Sequence, residues 1–166
     1  AGIDTGNEKY LWELTELCWV NWYRKLVNTH IFKDDKTAAF DAVVDFYQRV
    51  QPTYTGLDSH KKVFQQYSTS APIAWLAGWF TYDRDTKSVF EPSAGNGLLT
   101  IFYPEEMTVV NEIDPVRHAH LKTQPFRAIH QMDASIPFPD RFHRTFDAVL
   151  TNPPFGRLAE VNRDFG

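Results

Sequence analysis

Four short apolar runs, Ser88 to Glu91, Met107 to Ile113, Arg127 to Gln131 and Phe146 to Thr151, end on or run directly into polar residues. No other feature limits the fold as much. Each run has the length of a strand, and the spacers can hold helices. Gly97 to Phe102 reads as one helix, broken by Pro104, and Pro115 to Gln124 as another. Strand, helix, strand, helix, strand predicts the start of a doubly wound α/β sheet. In such sheets a ligand lies across the carboxyl ends of the strands. The candidate residues below sit mostly at those ends.

The part before these runs reads as helical. Leu11, Leu14, Cys18, Trp22 and Leu26 recur at three- and four-residue steps, which predicts a helix from Asn7 to about His30 with that stripe inward. Asp34 or Asp35 is placed to cap a second helix, striped by Phe40, Val43, Val44, Tyr47 and Val50 and stopped by Pro52. These helices read as a lid or docking hairpin. Pro72 suits the first turn of a third helix running to about Phe80. Residues 1–57 are thus expected to be an N-terminal helical segment and residues 58–166 the core.

Composition narrows the function. The chain has 166 residues, 43% of them hydrophobic and 23% charged, which excludes a disordered tail or a fibre. No apolar run approaches the roughly 18 residues of a membrane-spanning helix, so no membrane partner is expected. A single cysteine, Cys18, cannot form an intrachain disulfide, and a reducing, cytoplasmic location is expected. The six histidines lack metal-ligand spacing, and His118 and His120 do not share a helix face. They read as structural or surface residues, and no metal is expected. The net charge of -4 argues against a broad grip on nucleic-acid phosphates by this chain.

The first strand runs into Glu91-Pro92-Ser93-Ala94-Gly95-Asn96-Gly97. Gly95 and Gly97 permit a tight turn and a close approach to a ligand. Thr100 stands where a dinucleotide fingerprint has its third glycine, and no Lys-Ser/Thr follows, so neither that fingerprint nor a triphosphate loop is present. Glu112 ends the second strand, where a carboxylate can accept hydrogen bonds from two ribose hydroxyls. Asp133 follows the third strand and can accept from an adenine amino group. Asn152-Pro153-Pro154-Phe155 follows the fourth. One such feature would read as an ordinary loop; four in order point to a site.

Asn152 to Phe155 is the most specific piece. The lone pair of an exocyclic amine on an aromatic ring is delocalised, so the amine is a poor nucleophile. Two acceptors on its hydrogens favour a tetrahedral nitrogen and free the lone pair. The Asn152 side-chain oxygen and the Pro153 carbonyl can be those acceptors. Pro154 holds Pro153 extended. Phe155 offers a flat face for a planar substrate.

Together with Gln66-Tyr67-Ser68-Thr69 and Asn111-Glu112-Ile113-Asp114-Pro115, these motifs resemble the S-adenosylmethionine-dependent adenine-N6 DNA methyltransferases over about residues 64 to 156. The resemblance implies a Rossmann-like methyltransferase sheet and S-adenosyl-L-methionine as cofactor. Tyr67, Ser68 and Thr69 would hold its methionine end. Glu91, Gly95 and Gly97 would form the floor, with Pro92 beside them. Glu112 and Ile113 would meet the ribose, and Asp133 and Ala134 the cofactor adenine. Asn152, Pro153, Pro154 and Phe155 would receive the target base, flipped out of the duplex. The same tetrapeptide chemistry also suits cytosine-N4, an RNA base amine or a glutamine amide. A non-catalytic cofactor-binding module is the alternative from another class.

The family has seven strands, whereas four are readable here and the chain stops eleven residues after Phe155. The chain is therefore expected to be the cofactor-binding part of a larger enzyme. DNA would be held mostly through regions outside it. The fourth strand would present an open edge through which copies could associate.

Overall fold

The computed structural model describes residues 5–28, 35–50 and 68–153. Among the described residues three α-helices precede the first strand: α1 (Thr5–Val27), α2 (Lys36–Val50) and α3 (Ala71–Thr81). Asp35 caps α2, its Oδ1 accepting from the Ala38 amide at 2.9 Å. Pro72 lies in the first turn of α3, where its missing N–H costs nothing.

The strands are β1 (Val89–Glu91), β2 (Thr108–Asn111), β3 (Ala128–His130) and β4 (Ala148–Val149), with α4 (Pro115–Leu121) between β2 and β3. They form one parallel sheet in the order β3-β2-β1-β4. This is an α/β fold, and its sheet is consistent with a Rossmann-like arrangement. The chain steps outward from β1 to β3, then returns to the other side of β1 as β4. The order therefore reverses between β1 and β4, and a crevice opens at the carboxyl end of such a junction.

One face of the sheet carries the main core. Val89, Leu98, Leu99, Ile101 and Leu150 pack with Val20 and Tyr23 of α1, Val43 of α2 and Trp75 of α3. Each large apolar side chain so buried contributes roughly 1.5–3 kcal/mol relative to exposure. The opposite face is covered by rings from the β3–β4 connection. Phe146 stacks on Phe90 with centroids 4.9 Å apart, and Phe138 and Phe142 pack around them. Among the described residues β4 is an edge, with Val149 exposed.

Two expectations need correction. Gly97 to Phe102 is not an α-helix but a 3-10 turn, Leu98–Thr100. Too few residues separate the left-handed Gly97 from Pro104 for an α-helix to gain its bonds. The second correction concerns the inward face of α1. Leu11, Leu14 and Cys18 are exposed, and Trp22 lies at the margin, stacked on Phe46. Only Leu26 of that stripe reaches the core. The inward face is instead Glu13, Leu17, Val20, Tyr23 and Arg24, on the opposite side of the helix. The physical reason is that Glu13 and Arg24 have buried polar partners there. No helix among the described residues is long and apolar enough to cross a membrane.

Candidate functional site

The loop after β1 is set by its two glycines. Gly95 has φ +57° and Gly97 φ +92°, the left-handed region that other residues enter at a cost. At Gly97 space is also short: an added Cβ would meet Phe126 Cζ at 3.1 Å. The Gly97 amide donates to the Ala94 carbonyl at 2.8 Å, and the Ala94 amide to the Asn111 carbonyl at 2.9 Å.

Asn111 joins three strand ends. Its Nδ2 donates to the Pro92 and Met132 carbonyls, each at 2.9 Å, and its Oδ1 accepts from the Met132 amide at 2.8 Å. The loops after β1, β2 and β3 are therefore tied into one rim. Glu112 follows on that rim and is buried. Its Oε2 accepts from the Gly95 amide at 2.7 Å and its Oε1 from the Asp114 amide at 2.8 Å. A carboxylate oxygen can accept two bonds, and among the described residues one hydrogen bond reaches each oxygen of Glu112. Asp114 caps α4, its Oδ1 accepting from the Val116 and Arg117 amides. Asp133 and Ala134 are exposed after β3, and Ile113 is exposed beside Glu112. Asp133 Oδ1 accepts from the Ser135 amide at 2.8 Å, and this bond lowers its pKa.

Glu91 ends β1 and is 2% exposed. Burial pushes its carboxyl well above the usual carboxylate range; Arg24 opposes that shift and Glu112 adds to it. Among the described residues Glu91 Oε2 and the Ser93 hydroxyl are buried without a hydrogen-bond partner, as is the Trp75 indole N–H of α3. Buried polar atoms without partners are uncommon and suit a site that takes a polar ligand.

Across the β1–β4 junction, Asn152 is half-buried and Pro153 exposed. The Asn152 Nδ2 donates to Thr69 Oγ1 at 3.0 Å, which turns its Oδ1 the other way. Ser68 is exposed next to Thr69. Tyr67, Pro154 and Phe155 lie outside the described residues.

The underside of the loop is held by contacts far apart in sequence. Asn96 points inward, bonded to Glu13 and Glu16 of α1, while Arg24 reaches the Gly97 carbonyl. Arg117 pairs with Glu13 at 2.8 Å. Burial opposes its charge, but the bond and charge of Glu13, with Glu16 and Glu112, outweigh that and raise its pKa. Burial pushes Arg24 down to about 10, against the charges of Glu105 and Glu91. His118 and His120 are both buried, and His120 Nδ1 shares a 2.9 Å hydrogen bond with Asn96 Oδ1.

This rim is chemically one-sided. The Gly95 and Gly97 amides are already used within the protein, so these two donors do not face an anion. Glu91, Glu112 and Asp133 stand at three neighbouring strand ends. The arrangement suits a ligand rich in donors or positive charge more than a phosphate. Among the described residues no group of three His, Cys, Asp or Glu is placed to hold a metal ion. Compared with protein-family models, curated proteins and solved structures, the chain matches none.

Proposed function

We propose that the chain is the cofactor-binding part of an S-adenosylmethionine-dependent methyltransferase acting on the exocyclic amine of adenine in DNA. The observation that carries this reading is the bond from Asn152 to Thr69. It joins the Ser68-Thr69 element to the Asn-Pro segment at the carboxyl end of the sheet. In the family resembled, these elements meet cofactor and target base respectively.

The residues present fit the cofactor. Glu91, with one unpartnered oxygen, would face positive charge on it. Glu112 would accept from ribose hydroxyls, and Asp133 from the adenine amine. When bound, the cofactor supplies an electrophilic methyl group on a sulfonium. Asn152 Oδ1 and the Pro153 carbonyl would accept the hydrogens of the target amine and concentrate its lone pair on nitrogen. Thr69 holds the Asn152 amide in the orientation this requires. Asn152 Oδ1 and the Pro153 carbonyl would keep hold of the amine hydrogens as it takes up the methyl group, and one amine proton would leave to solvent.

The test is transfer of labelled methyl to DNA, RNA and protein in parallel, using the longest natural form that contains this chain. Label on adenine N6 in DNA is the expected result. Label on RNA or protein alone would overturn the acceptor, and no transfer to any of them would overturn the enzyme reading.

A further inference from the structure

The glycine loop is held from below by α1, and also by His120 of α4 and by Gln124, which bond Asn96. Asn96, between the two glycines, is 1% exposed and turned into the protein. Its Nδ2 donates to Glu13 Oε2 at 2.9 Å and to Glu16 Oε2 at 2.8 Å. Glu13 Oε2 also accepts from Arg117 Nε at 2.8 Å, which brings α4 into the same cluster. About three turns further along α1, Arg24 Nη2 donates to the Gly97 carbonyl at 3.1 Å and to Thr100 Oγ1 at 3.0 Å.

These contacts are costly to build unless they do something. Glu13, Arg24 and Arg117 are charged side chains taken largely out of water. An apolar contact would hold the helix at least as well, whereas a hydrogen-bonded charge cluster fixes one geometry. The loop above needs such fixing. Two glycines leave its backbone many conformations, and ordering it only when a ligand arrives would lower affinity.

We propose that α1 is a brace of the glycine loop, with Glu13 and Arg24 as positioning residues that set its binding shape. Ligand affinity at the loop then depends on these polar contacts and not on the apolar packing of α1. The ligand named in the test rests on the cofactor reading above; the brace itself does not.

The test uses the whole chain and three variants. Glu13→Ala removes the bonds to Asn96 and Arg117. Glu13→Gln keeps an acceptor. Val20→Ala loosens the same helix in the apolar core, without touching the loop's polar contacts. S-adenosylmethionine affinity is measured by calorimetry, melting temperature by circular dichroism, and the Gly95 and Gly97 amide resonances by NMR without ligand. Glu13→Ala should lose about tenfold or more in affinity, the cost of a hydrogen bond to a charged group. Glu13→Gln should recover most of it. Val20→Ala, at a comparable loss of melting temperature, should bind nearly as the parent does. Unchanged affinity in Glu13→Ala, or an equal loss in Val20→Ala, overturns the brace. If Glu13→Ala does not fold, the Gly95 and Gly97 amide resonances of a further variant, Arg24→Lys, which cannot keep all the bonds of the guanidinium, decide: displacement supports the brace, and unmoved resonances overturn it. A parent chain that binds no S-adenosylmethionine overturns the cofactor reading, and the same resonances still decide the brace.

Discussion

Asn152 and Thr69 are 83 residues apart in sequence, yet the amide of one donates to the hydroxyl of the other at 3.0 Å. The bond ties the segment after β4 to the residues just before α3. It fixes which end of the Asn152 amide is free to accept. Asn152→Ala should therefore slow methyl transfer on the order of 100-fold or more, the usual cost of losing a transition-state acceptor. Cofactor affinity should hardly move. Thr69→Val should slow transfer through the same bond, and the double variant should be little worse than Asn152→Ala. Full additivity in a double-mutant cycle would mean the two residues act separately.

Glu112 is expected to weigh on binding and not on the transfer step. Glu112→Ala should weaken S-adenosylmethionine by on the order of 1–3 kcal/mol, by leaving ribose hydroxyls unpaired and freeing the Gly95 amide. Calorimetry reads this directly, and an unchanged affinity would count against the ribose role.

Glu91 makes stability and binding depend on pH. Its folded-state pKa is raised, by burial first, so the folded chain holds this proton more tightly than the unfolded one. The resulting stability is fully present below the unfolded value of about 4.3 and is lost as pH rises through the folded value. Glu91→Gln should flatten that decline and be the more stable form at neutral pH. In the parent, a cationic ligand should draw Glu91 into its charged form and release a proton. The binding enthalpy should then vary with the ionisation enthalpy of the buffer, and this dependence should vanish in Glu91→Gln.

Asn111 bears on stability. Asn111→Ala would strand the Met132 amide and two carbonyls at the rim, at a cost on the order of 2–3 kcal/mol. Urea denaturation measures it, and a loss below about 0.5 kcal/mol would show that water replaces all three bonds.

The sheet was legible because each strand is a short apolar run bounded by turn residues, and because parallel strands put all their polar ends on one side. Their lengths were overestimated: Phe146 to Thr151 pairs only over Ala148–Val149. The inward face of α1 was not legible. Leu11, Leu14, Cys18 and Trp22 keep a three- and four-residue spacing, and so do Leu17, Val20 and Arg24 on the other side. Periodicity cannot choose between two such stripes. The choice rests on Arg24 reaching Thr100 and Glu13 reaching Asn96, contacts 76 and 83 residues away in sequence. A charged residue on a helix ordinarily signals the solvent face, so Glu13 and Arg24 carried the wrong local signal. Asn96 was visible only as the residue between two glycines. Nothing in that position says whether its side chain points to a ligand or into the protein.

The most direct test of the account is calorimetric titration of the 166-residue chain with S-adenosylmethionine, beside ATP and NAD as phosphate-bearing controls. The account predicts saturable binding of S-adenosylmethionine alone, weakened by Glu112→Ala and nearly unchanged by Asn152→Ala. Absence of S-adenosylmethionine binding, or equal binding of ATP, would contradict it.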